Sequence, residues 1–216
     1  MPRIQYKLKD GTRVPGVTTI AGAFKGDITG LLNWANAGGL EGLTLDDLYG
    51  ASTTPGTLVH QMIEDHLTGK TTDVSKYTEK QKSLAESSFL NWLHWAEQNE
   101  LKAILIEPNL ISENMRVGGT PDLIAEMHGK ITLVDWKSGK PLAYTSTLMQ
   151  LAAYCAMYEE VHGQKIEATY VVVIPRKDET PSFTVRYMER IPDLALEQFQ
   201  LLRQAYENEK LLKKMI

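Results

Sequence analysis

GGTPDLIAEMHGKITLVDWKSGK spans Gly118 to Lys140 and decides how the rest of the chain is read. Two strand-like runs lie in it, Asp122–Met127 and Ile131–Trp136, with His128-Gly129-Lys130 as the turn between them. Short apolar or β-branched runs bounded by Gly and Pro are the usual strand signal. Asp122 follows Pro121 at the head of the first run, and Asp135 interrupts an otherwise apolar second run. Strand side chains alternate faces, so Asp135 and Lys137 project to the same side. Pairing the runs as a hairpin sets Asp122 against the end of the second run. Two carboxylates and one ammonium then meet at one end of a sheet. Close carboxylates repel unless a positive charge lies between them. A divalent cation such as Mg²⁺, which takes oxygen ligands and keeps several waters, meets that need. Lys137 adds a point charge able to hold a water or a phosphate oxygen. A structural Asp–Lys pair and a turn Asp after Pro are the plain alternative.

Pro121-Asp122 followed by Asp135-Trp136-Lys137 resembles the PD-(D/E)xK nuclease superfamily, with Asp in the (D/E) slot. Three further features resemble its RecB-type branch. Gly56-Thr57-Leu58-Val59-His60 is similar to an upstream G-x-x-x-H motif, Gln150 to Tyr154 is similar to a downstream Q-x-x-x-Y motif, and their order agrees. The opening Val14 to Ile20 is similar to the start of phage-encoded and mitochondrial genome-maintenance exonucleases. The resemblance implies an α/β fold with a restriction-endonuclease-like mixed central sheet flanked by helices. It implies a metal-dependent DNA exonuclease acting on single-stranded ends in recombination, repair or replication, phage or cellular, alongside proteins of those pathways. Asp122, Asp135 and Lys137 would be catalytic. His60, Asp122, Asp135 and the Trp136 carbonyl would hold Mg²⁺ or Mn²⁺. Gln150, Tyr154 and Lys140 would meet the DNA, and Glu64 and Glu107 are offered as outer-shell residues.

The residues leave some of these roles open. His60 and Glu64 are four apart, as on one helix face, and a simple imidazole–carboxylate pair would explain both. Glu107 ends a strand-like run and could serve only the sheet edge. Gln150 and Tyr154 could be an ordinary amphipathic edge beside the stripe Leu148, Leu151, Ala152, Cys155 and Tyr158. A structure-specific endonuclease, a binding or assembly subunit without turnover, and a metal hydrolase of another substrate are the rival functions.

The chain has 216 residues, enough for one domain with a sizeable core. One nuclease domain over 1–216 is expected, with 1–53 as an N-terminal flap and helical extension. Cys155 is the single cysteine, which excludes an internal disulfide and a four-cysteine iron–sulfur cluster and suits a reducing compartment. Neither a membrane-length apolar run nor a signal-like start is seen, so a cytoplasmic location is expected. The net charge of −4 is not that of a general nucleic-acid binder and predicts a local basic groove instead.

Asp10-Gly11 predicts a hairpin turn between Ile4–Lys9 and Thr12–Val14. Ile28–Asn36 reads as a short helix broken by Gly38-Gly39, and Leu43–Tyr49 as another with Thr44 as cap. Thr54-Pro55 reads as a fresh helix start. Thr78–Asn99 carries a helical stripe of Ala85, Phe89, Trp92, Leu93 and Ala96, read as core. Lys210 to Lys214 reads as a solvated tail after a helix opened by Pro192.

Overall fold

The computed structural model describes residues 5–23, 29–138, 145–174 and 183–215. The chain starts with a hairpin, β1 (Tyr6–Lys7) and β2 (Arg13–Val14), turned at Asp10 and Gly11. Gly11 has φ +83°, and the Asp10 carboxylate accepts from the Thr12 N–H at 2.7 Å. A short helix α1 (Val17–Ala21) follows, and its Val17, Ile20 and Ala21 are buried. Helix α2 (Thr29–Leu40) runs through Gly38-Gly39 instead of breaking there. The reason is packing: a Cβ on Gly38 would lie 2.5 Å from Leu48 Cδ1, so the glycine lets the next helix approach.

That next helix, α3 (Leu45–Thr68), is one continuous element. Thr44 caps it: its hydroxyl accepts from the Asp47 N–H while the Asp47 carboxylate accepts from the Thr44 N–H. Pro55 therefore sits inside a helix, and the start expected at Thr54-Pro55 is corrected to Thr44. A complete capping box at Thr44 fixes the first turn, and the buried face beyond Pro55 holds the helix together across it. Gly69 ends α3 in the left-handed conformation, φ +70°. Helix α4 (Glu79–Gln98) is capped the same way by Thr78 and Gln81.

Nine strands are described. After the first hairpin come β3 (Lys102–Ile106), β4 (Leu110–Ser112), β5 (Val117–Gly119), β6 (Leu123–Met127) and β7 (Lys130–Ser138). Helix α5 (Thr145–His162) leads to β8 (Ala168–Ile174) and β9 (Thr184–Met188), and α6 (Asp193–Leu212) closes the chain. Because α6 reaches Leu212, Lys210 belongs to the helix, not to a tail. The central sheet has the order β3-β6-β7-β8-β9. Only β7 and β8 run parallel, joined across α5, so the sheet is mixed.

Each face of the sheet is covered. Ile124, Leu133, Val171 and Val173 pack against α1, α5 and α6. Leu123, Val134, Trp136 and Val172 pack against α3 and α4, where Trp92 meets Trp136 edge to face at 6.0 Å. Such an aromatic pair adds about 1 kcal/mol beyond its buried area. Ala85, Phe89, Trp92, Leu93 and Ala96 all belong to this layer, as the stripe in α4 predicts. Helix α5 is buried on more than one face: Thr147, Met149, Ala153, Tyr154 and Met157 are covered as well as Leu151, Ala152 and Tyr158. The narrow stripe expected from the sequence is corrected accordingly. The helix crosses from β7 to β8 under two other helices, and all three neighbours take a side of it.

Candidate active site

The β6–β7 hairpin builds the centre. Its turn is two residues, His128 and Gly129, with φ +51° and +74°. Two successive positive φ values are those of a type I′ turn, whose twist matches the flanking strands. Lys130 pairs with Met127 and so belongs to the strand, not to the turn. The register runs from that pair to Leu123 opposite Val134. One step further, Asp122 stands opposite Asp135. The Asp122 carboxylate accepts from the Trp136 N–H at 2.8 Å.

Asp135 and Lys137 share the face of Leu133, toward α5, because alternate residues of a strand do. The Lys137 Nζ lies 3.1 Å from Asp135 Oδ1 and 2.9 Å from Oδ2. It also donates to Gln150 Oε1 at 3.2 Å, and Gln150 Nε2 donates to the Tyr154 hydroxyl at 3.2 Å. Asp135, Lys137, Gln150 and Tyr154 thus form one bonded chain. Gln150 and Tyr154 lie four apart on α5, so one helix face supplies both. Asp135 is 1% exposed and Tyr154 3%.

Electrostatics set the state of each group. Burial raises the Asp122 pKa well above the ordinary carboxylate range, and the Asp135 charge adds to this. Lys137 and the Trp136 N–H oppose it. Burial raises Asp135 too, against the pull of Lys137. A close pair of carboxyls in this condition takes up a proton or a cation. Burial, then the Lys137 charge, push His60 down to about 4, so its imidazole is neutral near pH 7. Burial lifts the Tyr154 hydroxyl far above neutral pH, which keeps it a phenol and a donor.

Two buried polar atoms are orphaned here: His60 Nε2 has no partner, and Asp135 Oδ2 receives no well-directed hydrogen bond despite the nearby ammonium. Glu64 is not bonded to His60, so the simple imidazole–carboxylate pair does not form. Neutral imidazole nitrogen and carboxylate oxygen are the donors that Mg²⁺ and Mn²⁺ accept. The residues present therefore fit a divalent cation. Among the described residues no three His, Cys, Asp or Glu groups already enclose a common point. Asp122 and Asp135 are brought together, and the Lys137 charge reaches His60.

Glu107 adjoins Asp122, and Glu64 adjoins Glu107. The Glu107 N–H donates to the Asp122 carbonyl at 3.0 Å, and Glu107 has φ +44°, an uncommon conformation for a residue with a side chain. Burial and the Glu64 charge raise its pKa, and its own charge reaches Asp122. The charges felt at Asp122 are thus Asp135, Lys137 and Glu107. Two of these three are acids, and Lys137 is the cation among them. Lys140 lies outside the described residues.

One contact near the centre had no signal in the motifs. Thr120 lies inside the quoted stretch but carries no motif letter. Its Oγ1 is hydrogen-bonded to the hydroxyl of Tyr6, 3.1 Å away and 114 residues earlier in the chain. Only the glycine pair Gly118-Gly119, which permits close approach, hinted that something packs there.

A sequence profile of the PD-(D/E)XK nuclease superfamily matches residues 39–215. The chain belongs to the PD-(D/E)XK nuclease superfamily. Among solved structures, this chain is similar to an exonuclease candidate from Eubacterium rectale, with 9% identity and a TM-score of 0.51. The match covers 71% of this chain and 65% of that one. This chain therefore spans just under two thirds of the length of that relative, and the likeness is one of fold. It is also similar to the alkaline exonuclease LHK-Exo from Laribacter hongkongensis, at 15% identity over 76% of this chain and 91% of that one, with a TM-score of 0.39. A second LHK-Exo structure, in complex with dAMP, gives 16% identity over 74% and 84% of the two chains and a TM-score of 0.40. No characterised protein matches the sequence itself. No helix among the described residues is long and apolar enough to cross a membrane.

Proposed function

We propose that this nuclease is a divalent-cation-dependent DNA exonuclease of the RecB type, using Mg²⁺ or Mn²⁺, with 1–216 acting as one domain. The observation that carries this is the juxtaposition of Asp122, Asp135 and Lys137, with Asp135 buried, Asp122 half-buried and both acids raised in pKa. Those residues also stand where the superfamily's name spells P-D and D-x-K. Asp122, Asp135, His60 and the Trp136 carbonyl would hold the cation. When bound, it supplies an acidified water and charge neutralisation at the phosphate.

The chain's own groups do the rest. Lys137, held by Asp135 and Gln150, keeps an ammonium aimed at the centre, where it orients a water or a non-bridging phosphate oxygen. Tyr154 stays protonated and donates to the strand, with Gln150 fixing its ring. The water oxygen bonds to phosphorus while the ester oxygen leaves and takes up a proton. Glu64 and Glu107 act from the side by sharpening the demand for a cation. Asp135 is 1% exposed, so the scissile phosphate must be lowered onto it. A free single-stranded end bends to do so more readily than a continuous duplex, which favours exonuclease action in recombination, repair or replication inside the cell.

The test is a panel of linear and covalently closed DNA, single- and double-stranded, with Mg²⁺, Mn²⁺ or chelator. Nucleotides should be released from linear single strands with metal, not from closed circles, and not by Asp135→Asn. Circles cut as fast as linear strands would move the assignment to an endonuclease. DNA binding without release under any metal would leave a non-catalytic subunit.

A further inference from the structure

The glycine pair before the centre is enclosed by two tyrosines. Successive strand residues face opposite ways, and each glycine of β5 meets a different ring. A Cβ on Gly118 would lie 2.0 Å from Tyr6 Cγ, and one on Gly119 would lie 2.5 Å from Tyr154 Cε1. Neither glycine has a positive φ, so close approach and not a turn requires them. The Tyr154 ring is fixed by α5 and the core. The Tyr6 ring is delivered by the β1–β2 hairpin, which is tied to β5 by the Gly118 N–H to the Pro15 carbonyl at 3.0 Å and by a bridge between Gly16 and Gly118. The Tyr6 hydroxyl then meets Thr120 Oγ1 at 3.1 Å.

Pro121 and Asp122 come next. Asp122 precedes β6 and is outside the strand ladder; it is held by its own carboxylate on the Trp136 N–H and by its carbonyl to the Glu107 N–H. Its remaining anchor is the backbone upstream, which the two rings grip. We propose that Tyr6 is a positioning residue of this nuclease: its ring closes β5 against Tyr154, and its hydroxyl fixes Thr120, so that Asp122 stays at cation-sharing distance from Asp135. The proposal rests on the cation-dependent reading above, in that Asp122 and Asp135 share an ion. It makes the amino-terminal hairpin part of the centre, although no residue of that hairpin touches the reacting atoms.

The experiment uses the full chain and compares wild type with Tyr6→Phe, Tyr6→Ala, Gly118→Ala and the last two combined. Mn²⁺ affinity is measured calorimetrically without DNA, kcat and KM on a linear oligonucleotide, and the melting temperature without metal. Tyr6→Phe removes one hydrogen bond and should weaken Mn²⁺ binding and lower kcat by about fivefold each. KM for DNA and the melting temperature should stay near wild type. Tyr6→Ala should lose more of both, and Gly118→Ala, by expelling the ring, should reproduce that loss. The double variant should fall no further, since both changes undo one contact. Tyr6→Phe and Tyr6→Ala that bind Mn²⁺ and turn over within twofold of wild type would overturn the proposal, whatever the melting temperature does. Should Tyr6→Ala not fold, Tyr6→Phe alone decides. Wild type that binds Mn²⁺ but cleaves no DNA would remove the nuclease reading and leave the Mn²⁺ comparison to judge Tyr6. Wild type that binds no Mn²⁺ would remove both.

Discussion

At Asp122 and Asp135 two carboxyl groups share a corner with one ammonium, and the direction of each pKa shift fixes what substitution does. Both folded-state pKa values are raised. The folded state then binds more protons than the unfolded one between the ordinary carboxylate value and the raised ones, so metal-free stability falls as pH climbs through that window. Asp122→Asn keeps an oxygen for the Trp136 N–H but deletes the like charge. We expect its metal-free melting temperature above pH 7 to rise by a few degrees, since one pKa unit is about 1.4 kcal/mol and each kcal/mol moves a domain of this size by about 2–4 °C. Mn²⁺ affinity should fall at least about tenfold in the same protein, read by calorimetry. His60 works in the opposite sense. Its folded pKa is about 4 against 6.5 in the unfolded chain, so its contribution is complete above 6.5 and is lost as pH drops toward 4. His60→Gln should flatten the melting-temperature slope across that interval; an unchanged slope would place the titration elsewhere. The acids and the lysine were legible in the sequence because a two-residue turn and strand alternation place them by local rules alone. The partnership of Tyr6 with Thr120 was not, because nothing local encodes a contact across 114 residues.

Among the elements, α3 shows where local rules lose to context. Thr54-Pro55 has the lettering of a helix start, yet the helix passes through it from a capping box ten residues earlier. The buried face of Leu58, Val59 and Ile63 continues past the proline and holds both segments to one axis. A proline there forgoes one backbone hydrogen bond, and Pro55→Ala should restore it. The gain expected is about 1–3 kcal/mol, measured as a shift of the denaturant midpoint. The β6–β7 turn offers a second check. His128 holds φ +51°, which asparagine tolerates better. His128→Asn should stabilise by a few tenths of a kcal/mol to about 1 kcal/mol without altering metal binding. In α2 the glycine pair looked like a break for the same reason that Pro55 looked like a start. At Gly38 the usual local meaning yields to the close approach of Leu48, and at Pro55 it yields to the buried face that continues past it.

For the molecule as a whole, a net charge of −4 and the acids at the centre make the bound cation the expected source of attraction for DNA. Chelated protein should bind oligonucleotides poorly, and binding with a non-cleaving cation should depend only shallowly on salt, with a logarithmic slope smaller in size than about 3. A steep slope in the chelated protein would show that basic residues outside the described segments dominate. The mixed sheet was legible from the alternation of strand and helix signals, whereas the layering of α1 and the first hairpin against the sheet depends on contacts between distant parts of the chain.

One feature of that sheet reaches beyond catalysis. β7 is the middle strand of five, bonded to β6 on one side and β8 on the other. Its amide protons should therefore be among the slowest in the protein to exchange with deuterium, released only when the whole fold opens. Heating or denaturant should then extinguish activity in a single cooperative step together with the sheet, with no half-active intermediate in which the fold survives and Asp135 has drifted away.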